Sequence, residues 1–314
     1  MSICPAKKSK YRFLIIAYVG ILLVACKSFK QKEEEKPDSG NRGTIHINVD
    51  ESFKPVIDEQ VKVYESNHPN TKIIVHYKPE AECFRNFGAD SVRMMIATKT
   101  FSAEERKLME DSLDLALQSK VVARDAIAVI VHPGAPDSLF TMTDLRAILK
   151  GRFKKDLIPV FDGVKATSTV RFIIDSVLRG DSLTPRAMAA SSSEGVIDYV
   201  STHPEVVGFI GVSWIGNPED PEQLSFLKKI RVAAVESTDK PESYVKAYQA
   251  NIHTLRYPMV RDLVYTLKEK HKGLGFAFSG FLCGDIGQLI FRRAYLVPQV
   301  LKNFGVRPIR LDEE

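Results

Sequence analysis

The amino-acid sequence predicts an α/β fold with room for two domains, and three observations carry that prediction. From Thr44 to the helix that opens at Ser102, apolar alternation and amphipathic periodicity take turns in a β-α-β-α-β-α order, which calls for a largely parallel sheet covered by helices. Val121 to Val131 is an apolar, β-branched run, long enough to pass from one domain to another. At 314 residues and 44% hydrophobic content, the chain can bury sizeable cores.

The first segment stands apart. Lys7, Lys8, Lys10 and Arg12 precede an apolar run from Phe13 to Ala25 that is too short to span a bilayer comfortably. A basic stretch followed by a short apolar one is the pattern of a secretory signal. The run closes in Leu23-Val24-Ala25-Cys26, which resembles the lipobox of bacterial lipoproteins. That resemblance implies removal of residues 1–25 and a lipid on Cys26; a coincidental cysteine in a transmembrane anchor is the alternative. Lipidation would anchor the protein to a membrane without spanning it. The formal charge is +5, and residues 1–25 hold four basic and no acidic residues, so the mature charge is +1. No basic block with interleaved aromatics remains, which argues against nucleic acid as a partner. Lys27 to Arg42 is polar, with Glu33-Glu34-Glu35 followed by Pro37, Ser39 and Gly40, and reads as a solvated tether. Acids shortly after a lipidated cysteine can act as a surface-export signal in some Gram-negative bacteria, but here Lys27 comes first.

Thr44 to Val49 alternates as a half-buried strand. Asp50-Glu51-Ser52 leads into a helix with Pro55 in its first turn, where proline is tolerated, and Asn67-His68-Pro69 stops it. A strand over Lys72–Tyr77, a short helix around Cys83 to Phe87 and a strand over Ser91–Ala97 follow, and Ser102 with Glu105 forms a capping box for a long polar helix. Phe140 to Asp144 caps the next helix, which Gly151 ends. Leu157–Phe161 reads as a strand, Ser191 with Glu194 as a capping box, and Val206–Val212 as a buried strand. Tyr199 and Val200 fall on the inner face of the intervening helix, which His203-Pro204 ends. Ile230–Val235 is expected to return to the first domain as a strand, and the closing third to be helical, with Met259–Lys268 and Gly287–Leu296 its clearest segments.

Within this order, Lys165-Ala166-Thr167-Ser168-Thr169 precedes apolar residues at Val170, Ile173, Ile174, Val177 and Leu178, the buried stripe of an amphipathic helix. Arg171 and Asp175 lie on its other side, one turn apart. The hydroxyl residues thus sit at a helix start, where they can serve as ordinary caps or hold a ligand anion. Ligands of parallel sheets bind where strand carboxyl ends meet helix starts, and Asp50–Ser52, Lys78–Glu82 and Thr98–Thr100 all occupy such ends.

Cys4 leaves with the signal; Cys83 and Cys283 remain, either paired or, as the preferred reading, as two free thiols. No Cys or His pairing has metal-ligand spacing, so no metal or cofactor is expected. Gly211-Val212-Ser213-Trp214-Ile215-Gly216 is not a nucleophile elbow, because Ile215 stands where the second glycine is required, and the seven histidines are scattered. Catalysis is therefore not expected.

Several stretches resemble the phosphate-binding proteins of ABC transporters. Val122 to Val131, VARDAIAVIV, is similar to that family's crossover strand, and Thr143 to Gly151 to the helix and glycine that follow. Val206 to Val212 resembles its next buried strand, and Arg256-Tyr257-Pro258 and Gly287-Gln288 its C-terminal helices. The resemblance implies a type 2 periplasmic-binding-protein fold: two α/β lobes with mixed sheets joined by two crossover strands. It divides the chain into a signal peptide (1–25), a lipidated tether (26–43), a discontinuous lobe 1 (44–122 and 233–314) and lobe 2 (123–232). Hinges would lie near Val121–Arg124 and Ile230–Val235.

The ligand motifs depart from the family's. Its Gly-Ser-Gly-Thr loop falls on Lys165-Ala166-Thr167-Ser168, which keeps hydroxyls but loses both glycines, and Asp162 stands where an arginine precedes that loop. The first ligand loop becomes Asp50-Glu51-Ser52-Phe53, the second Lys78-Pro79-Glu80-Ala81-Glu82, and the family's Ala-Ser-Asp becomes Ala97-Thr98-Lys99, whose lysine cannot accept a proton from phosphate. Carried over position by position, the ligand set is Ser52, Phe53, Glu82, Thr98, Lys99, Thr167, Ser168, Thr169 and Arg171. Acids gathered there would repel a dianion unless protonated or paired. The implied function is a monomeric, lipid-anchored solute-binding protein of the cell envelope, facing the periplasm or exposed at the surface. It would capture an oxyanion, phosphate first, for an ABC transporter permease. A sensory or adaptor lipoprotein binding another small polar solute is the alternative.

Overall fold

The structure, a computed structural model, describes residues 38–300 apart from Asp90 and residues 164–166. The signal segment, Cys26, the acid-rich part of the tether, Lys165 and Ala166 lie outside the described residues.

Alternation of apolar side chains builds β1 (Arg42–Asp50), which opens inside the stretch expected as tether. Asp38 explains the early start: its carboxylate accepts both guanidinium nitrogens of Arg93 at 2.9 Å and the Leu274 amide at 2.7 Å, fixing the chain before β1. A single 3₁₀ turn (Glu51–Phe53) then enters α1 (Lys54–Asn67), with Pro55 in its first turn. β2 (Asn70–Lys78), α2 (Glu80–Asn86), β3 (Val92–Ala97) and α3 (Ala103–Leu113) complete the expected alternation. β2 and β3 flank β1 in parallel.

Next comes the long strand β4 (Gln118–Val131). After it come β5 (Leu139–Phe140), α4 (Met142–Leu149), β6 (Ile158–Phe161), α5 (Ser168–Phe172), β7 (Met188–Ala189), α6 (Ser193–Thr202) and β8 (Val206–Gly211). α5 runs on as a π-helical turn over Ile173–Val177. The cap of α6 is Ser192, whose hydroxyl accepts the Gly195 amide, and not the Ser191–Glu194 box expected from sequence. The shift by one residue leaves Ser191 exposed and buries Ser193.

The chain continues through α7 (Pro221–Lys229), β9 (Arg231–Val232), β10 (Ala234–Glu236), β11 (Tyr244–Val245), α8 (Gln249–His253), β12 (Val260–Leu267), α9 (Leu274–Cys283), α10 (Asp285–Arg293) and β13 (Val297–Pro298). β12 corrects the helix expected over Met259–Lys268. Val260, Val264, Tyr265 and Thr266 favour a pleated surface, and pairing with β3 on one side and β4 on the other outweighs any helical period. The run Ile230–Val235 returns only in part: β9 pairs with the end of β4, then β10 leaves for a small sheet with β5 and β11. β12 completes the return along Gln118–Ala126. Cys83 and Cys283 are free thiols.

A ten-stranded mixed sheet results, ordered β2-β1-β3-β12-β4-β8-β6-β7, with β9 and β13 also on β4. Its directions matter for the site. β1 and β3 run parallel to β4, whereas β8 and β6 run against it. The carboxyl ends of the two sets therefore converge on the middle of β4, around Asp125–Ile127.

Candidate functional site

At that convergence lies Arg261, on β12, with only 5% of its surface exposed. Its Nε donates to Asp125 Oδ2 at 2.9 Å, and its Nη1 to Ser168 Oγ at 2.9 Å and Thr169 Oγ1 at 3.5 Å. The Phe53 ring lies 5.1 Å from the guanidinium carbon, a cation–π contact on its face. Gly211, at the end of β8, closes another side: a Cβ there would come within 3.2 Å of Nη2 and 3.4 Å of the Ser52 carbonyl. No side chain fits without displacing the guanidinium.

Hydroxyls and acids surround it. Ser52 Oγ is 3.3 Å from both Ser168 Oγ and Asp162 Oδ2, so the loop after β1 touches the loop after β6 and the start of α5. Ser193 Oγ also donates to Asp162, at 3.4 Å, and Ser213 Oγ to the Ser52 carbonyl at 3.1 Å. Thr167 caps α5 by accepting the Val170 amide at 3.3 Å. Asp50 Oδ1 accepts the Ser52 amide at 3.1 Å.

Four charges share this buried space. Burial pushes the Asp50 carboxyl up to about 7, against the pull of Arg261. Asp125 and Asp162 are likewise raised by burial, with Arg261 opposing in each case. Glu51, half-buried nearby, is pushed up to about 7 by burial and then by the charges of Asp162, Asp50 and Glu82. Four polar atoms here are buried and have no hydrogen-bond partner among the described residues: Asp50 Oδ2, Asp125 Oδ1, Asp162 Oδ1 and Arg261 Nη2. Buried polar groups left unpaired are uncommon, and each calls for a physical explanation.

A second cluster lies one helical turn along α5. Arg171 Nε donates to Glu80 Oε2 at 2.5 Å, and its Nη2 to Thr98 Oγ1 at 2.6 Å. Thr98 in turn donates through its amide and hydroxyl to Glu80 Oε1, at 3.0 and 2.5 Å. Burial works against ionisation of Glu80, but hydrogen bonding and charge from Arg171 outweigh it and hold the carboxyl below its ordinary range.

Of the sequence-predicted residues, Ser52, Phe53, Thr167, Ser168 and Thr169 gather in the Arg261 cluster, and Thr98 and Arg171 in the second. Lys99 is exposed, its Nζ 5.0 Å from the Phe84 ring centroid, and it belongs to neither cluster. Glu82 is half-buried and contributes its charge to Glu51. Arg261 and Asp125 were missed as site residues, although each interrupts an apolar strand with charge, in Arg124-Asp125 and Arg261-Asp262. Asp162 stands where the resembled family has an arginine, and the Arg261 guanidinium of another strand acts on its carboxyl.

Residues 34–285 match the PBP superfamily domain. No curated protein matches the sequence. Among solved structures, one from Clostridium perfringens, assigned as a phosphate ABC transporter substrate-binding protein and holding phosphate, superposes with a TM-score of 0.68 at 18% identity, covering 82% of this chain and 100% of its own. An ABC-type phosphate transport receptor from Vibrio cholerae gives 0.61 at 15% identity, over 81% and 100% of the two chains. The substrate-binding domain of a protein assigned as a molybdenum ABC transporter from Clostridium difficile gives 0.50 at 16%, over 82% and 99%. With its domain matched over most of its length and its mixed sheet shared with these structures, the chain belongs to the PBP superfamily and has the type 2 periplasmic-binding-protein fold.

Proposed function

We propose that this chain is a solute-binding protein of ABC-type import that captures a protonated oxyanion, phosphate first, at the Arg261 centre. The observation that carries the reading is the unpaired set itself: one guanidinium donor and three carboxylate oxygens, all buried. A fully deprotonated anion would accept from Arg261 but face three acids. An oxyanion that still carries a proton can accept from the guanidinium and donate to a carboxylate. The hydroxyls of Ser52, Ser168 and Thr169 supply further contacts that either form tolerates. The lobe division expected from sequence, lipid attachment at Cys26 and delivery to a permease complete the proposal. They rest on the resemblance and on the kinds of protein that share the fold.

The test is calorimetry and thermal shift on the chain beginning at Lys27. Phosphate should stabilise it in proportion to ligand excess, and more strongly at about pH 6 than at about pH 8, because Asp50 and Glu51 both lie near 7. At about pH 8, where Asp50 and Glu51 are ionised, sulfate, which has no proton to donate, should bind at least about tenfold more weakly than phosphate. Ser168→Ala with Thr169→Ala should abolish the phosphate response with a modest change in apo stability. Equal binding of sulfate and phosphate would sink the reading.

A further inference from the structure

β2 ends the main sheet and pairs in parallel with β1, which sets Asn48 opposite His76. Alternate residues of a strand share a face, so His46, Asn48 and His76 stand on one side of the sheet. Ile45, Ile47 and Val49 take the other side into the core. The two histidines are 30 residues apart in sequence, so spacing along the chain does not reveal them as a pair.

His46 Nδ1 and His76 Nε2 lie 2.8 Å apart, with the ring planes within 8° and the centroids 5.2 Å apart. With the nitrogens so close, that centroid separation requires the rings to meet nitrogen to nitrogen, edge to edge. Both rings are half-buried, so solvent reaches the pair. Two nitrogen ligands at zinc's distance of about 2.0–2.1 Å stand roughly 3 Å from each other. A small widening and an in-plane tilt therefore turn both lone pairs onto one ion. The ring that donates within the pair moves its proton to its other nitrogen, which leaves both facing nitrogens as acceptors.

Asn48 supplies a second, independent observation. It is fully buried, and neither atom of its amide has a hydrogen-bond partner among the described residues. Leaving a buried amide unsatisfied at both ends is costly, and this one stands in register with His76. An ion held by the imidazoles gives its carbonyl oxygen either the metal or a metal-bound water. The lysines of this face of β2 are matched by acids: Lys72 pairs with Glu65 at 3.1 Å, and Lys78 has Asp50 opposite it in register. Two imidazoles and an amide oxygen suit a late first-row divalent ion, whereas calcium and magnesium take oxygen sets and copper(I) prefers sulfur.

We infer that His46, His76 and Asn48 form a binding site for a divalent cation of the nickel and zinc class. Water completes the coordination. The ion clips the end strand β2 to β1, and its ligands are not those of the Arg261 centre.

The test is calorimetry and thermal shift on the full-length chain in detergent, with nickel and then zinc as probe in a buffer that does not bind metals. One equivalent should bind with a dissociation constant below about 100 µM and raise the thermal midpoint with metal excess. His46→Gln and His76→Gln should each weaken binding at least about tenfold and remove the shift. Asn48→Leu, close in volume, should weaken binding severalfold without lowering the midpoint of the metal-free chain. Manganese, at the weak end of the divalent series, should bind at least about tenfold more weakly than nickel. No saturable nickel or zinc binding below about 1 mM overturns the inference. So does an affinity unchanged in either histidine variant, or equal binding of manganese and nickel.

Discussion

Arg261 is the residue on which the candidate site depends, and its partner is set by register. Antiparallel pairing places Arg261 opposite Asp125 and Asp262 opposite Arg124, so two Arg-Asp dipeptides face each other with charges crossed. The Arg124–Asp262 pair, at 3.0 Å, is partly exposed and contributes little. Arg261–Asp125 is buried on both sides, and removing one member strands the other. Arg261→Met should therefore cost about 3–5 kcal/mol in urea denaturation, and adding Asp125→Leu should recover part of that loss. A double variant no more stable than the single one would show that the pair is not what holds this spot. Asp50 behaves differently. Its pKa in the folded chain lies above the unfolded value of about 4, so its contribution is intact at low pH and is lost as pH rises towards 7. Asp50→Asn keeps the oxygen that accepts the Ser52 amide. It should stabilise the protein at about pH 8 by roughly 2 kcal/mol and hardly at all at about pH 4. The charged dipeptides were visible in the sequence. Their meeting was not, because that needs the pairing partner of a segment whose secondary structure was misjudged.

At the scale of elements, the sequence was most legible where local chemistry decides the outcome. Capping boxes at Ser102–Glu105 and Thr141–Asp144 form as the residues predict, and Pro55 and the His68 and His203 helix ends fall in place. β12 was illegible for the opposite reason. Met259, Leu263 and Leu267 repeat at helical spacing, and only the flanking strands β3 and β4 decide between periods. α3 has no fully buried side chain, and although Met109 and Leu113 pack partly against the cluster around Phe87 and Arg106 and Glu110 bond the backbone at Leu117, its first turn rests on the capping box. Ser102→Ala should therefore speed amide hydrogen exchange over Ala103–Leu113 about fivefold, while the global thermal midpoint stays put. A falling midpoint would mean that α3 is coupled to the core after all.

For the whole molecule, the two sets of opposing strands are held together at their carboxyl ends by two devices with opposite responses to pH. The Arg261 centre carries acids that burial keeps protonated up to about 7, so alkaline conditions add repulsion there. The Glu80–Arg171 pair bridges α2 and α5 and requires Glu80 to be ionised. Glu80 is held below its ordinary range, so the bridge is present above the unfolded carboxyl value of about 4.3 and is lost as pH falls through the lower folded one. Both devices are therefore intact together between about pH 4.3 and about pH 7, bounded by different residues on each side. Glu80→Gln removes the acid boundary together with the charge of the bridge. In small-angle scattering across pH, the wild-type chain should be most compact within this window. The variant should be more expanded there, lose the acid-side transition, and keep the alkaline one set by Asp50 and Glu51. Scattering that matches the wild type at every pH would mean that the bridge plays no part in holding α2 against α5. The Arg261 centre alone would then hold the two halves.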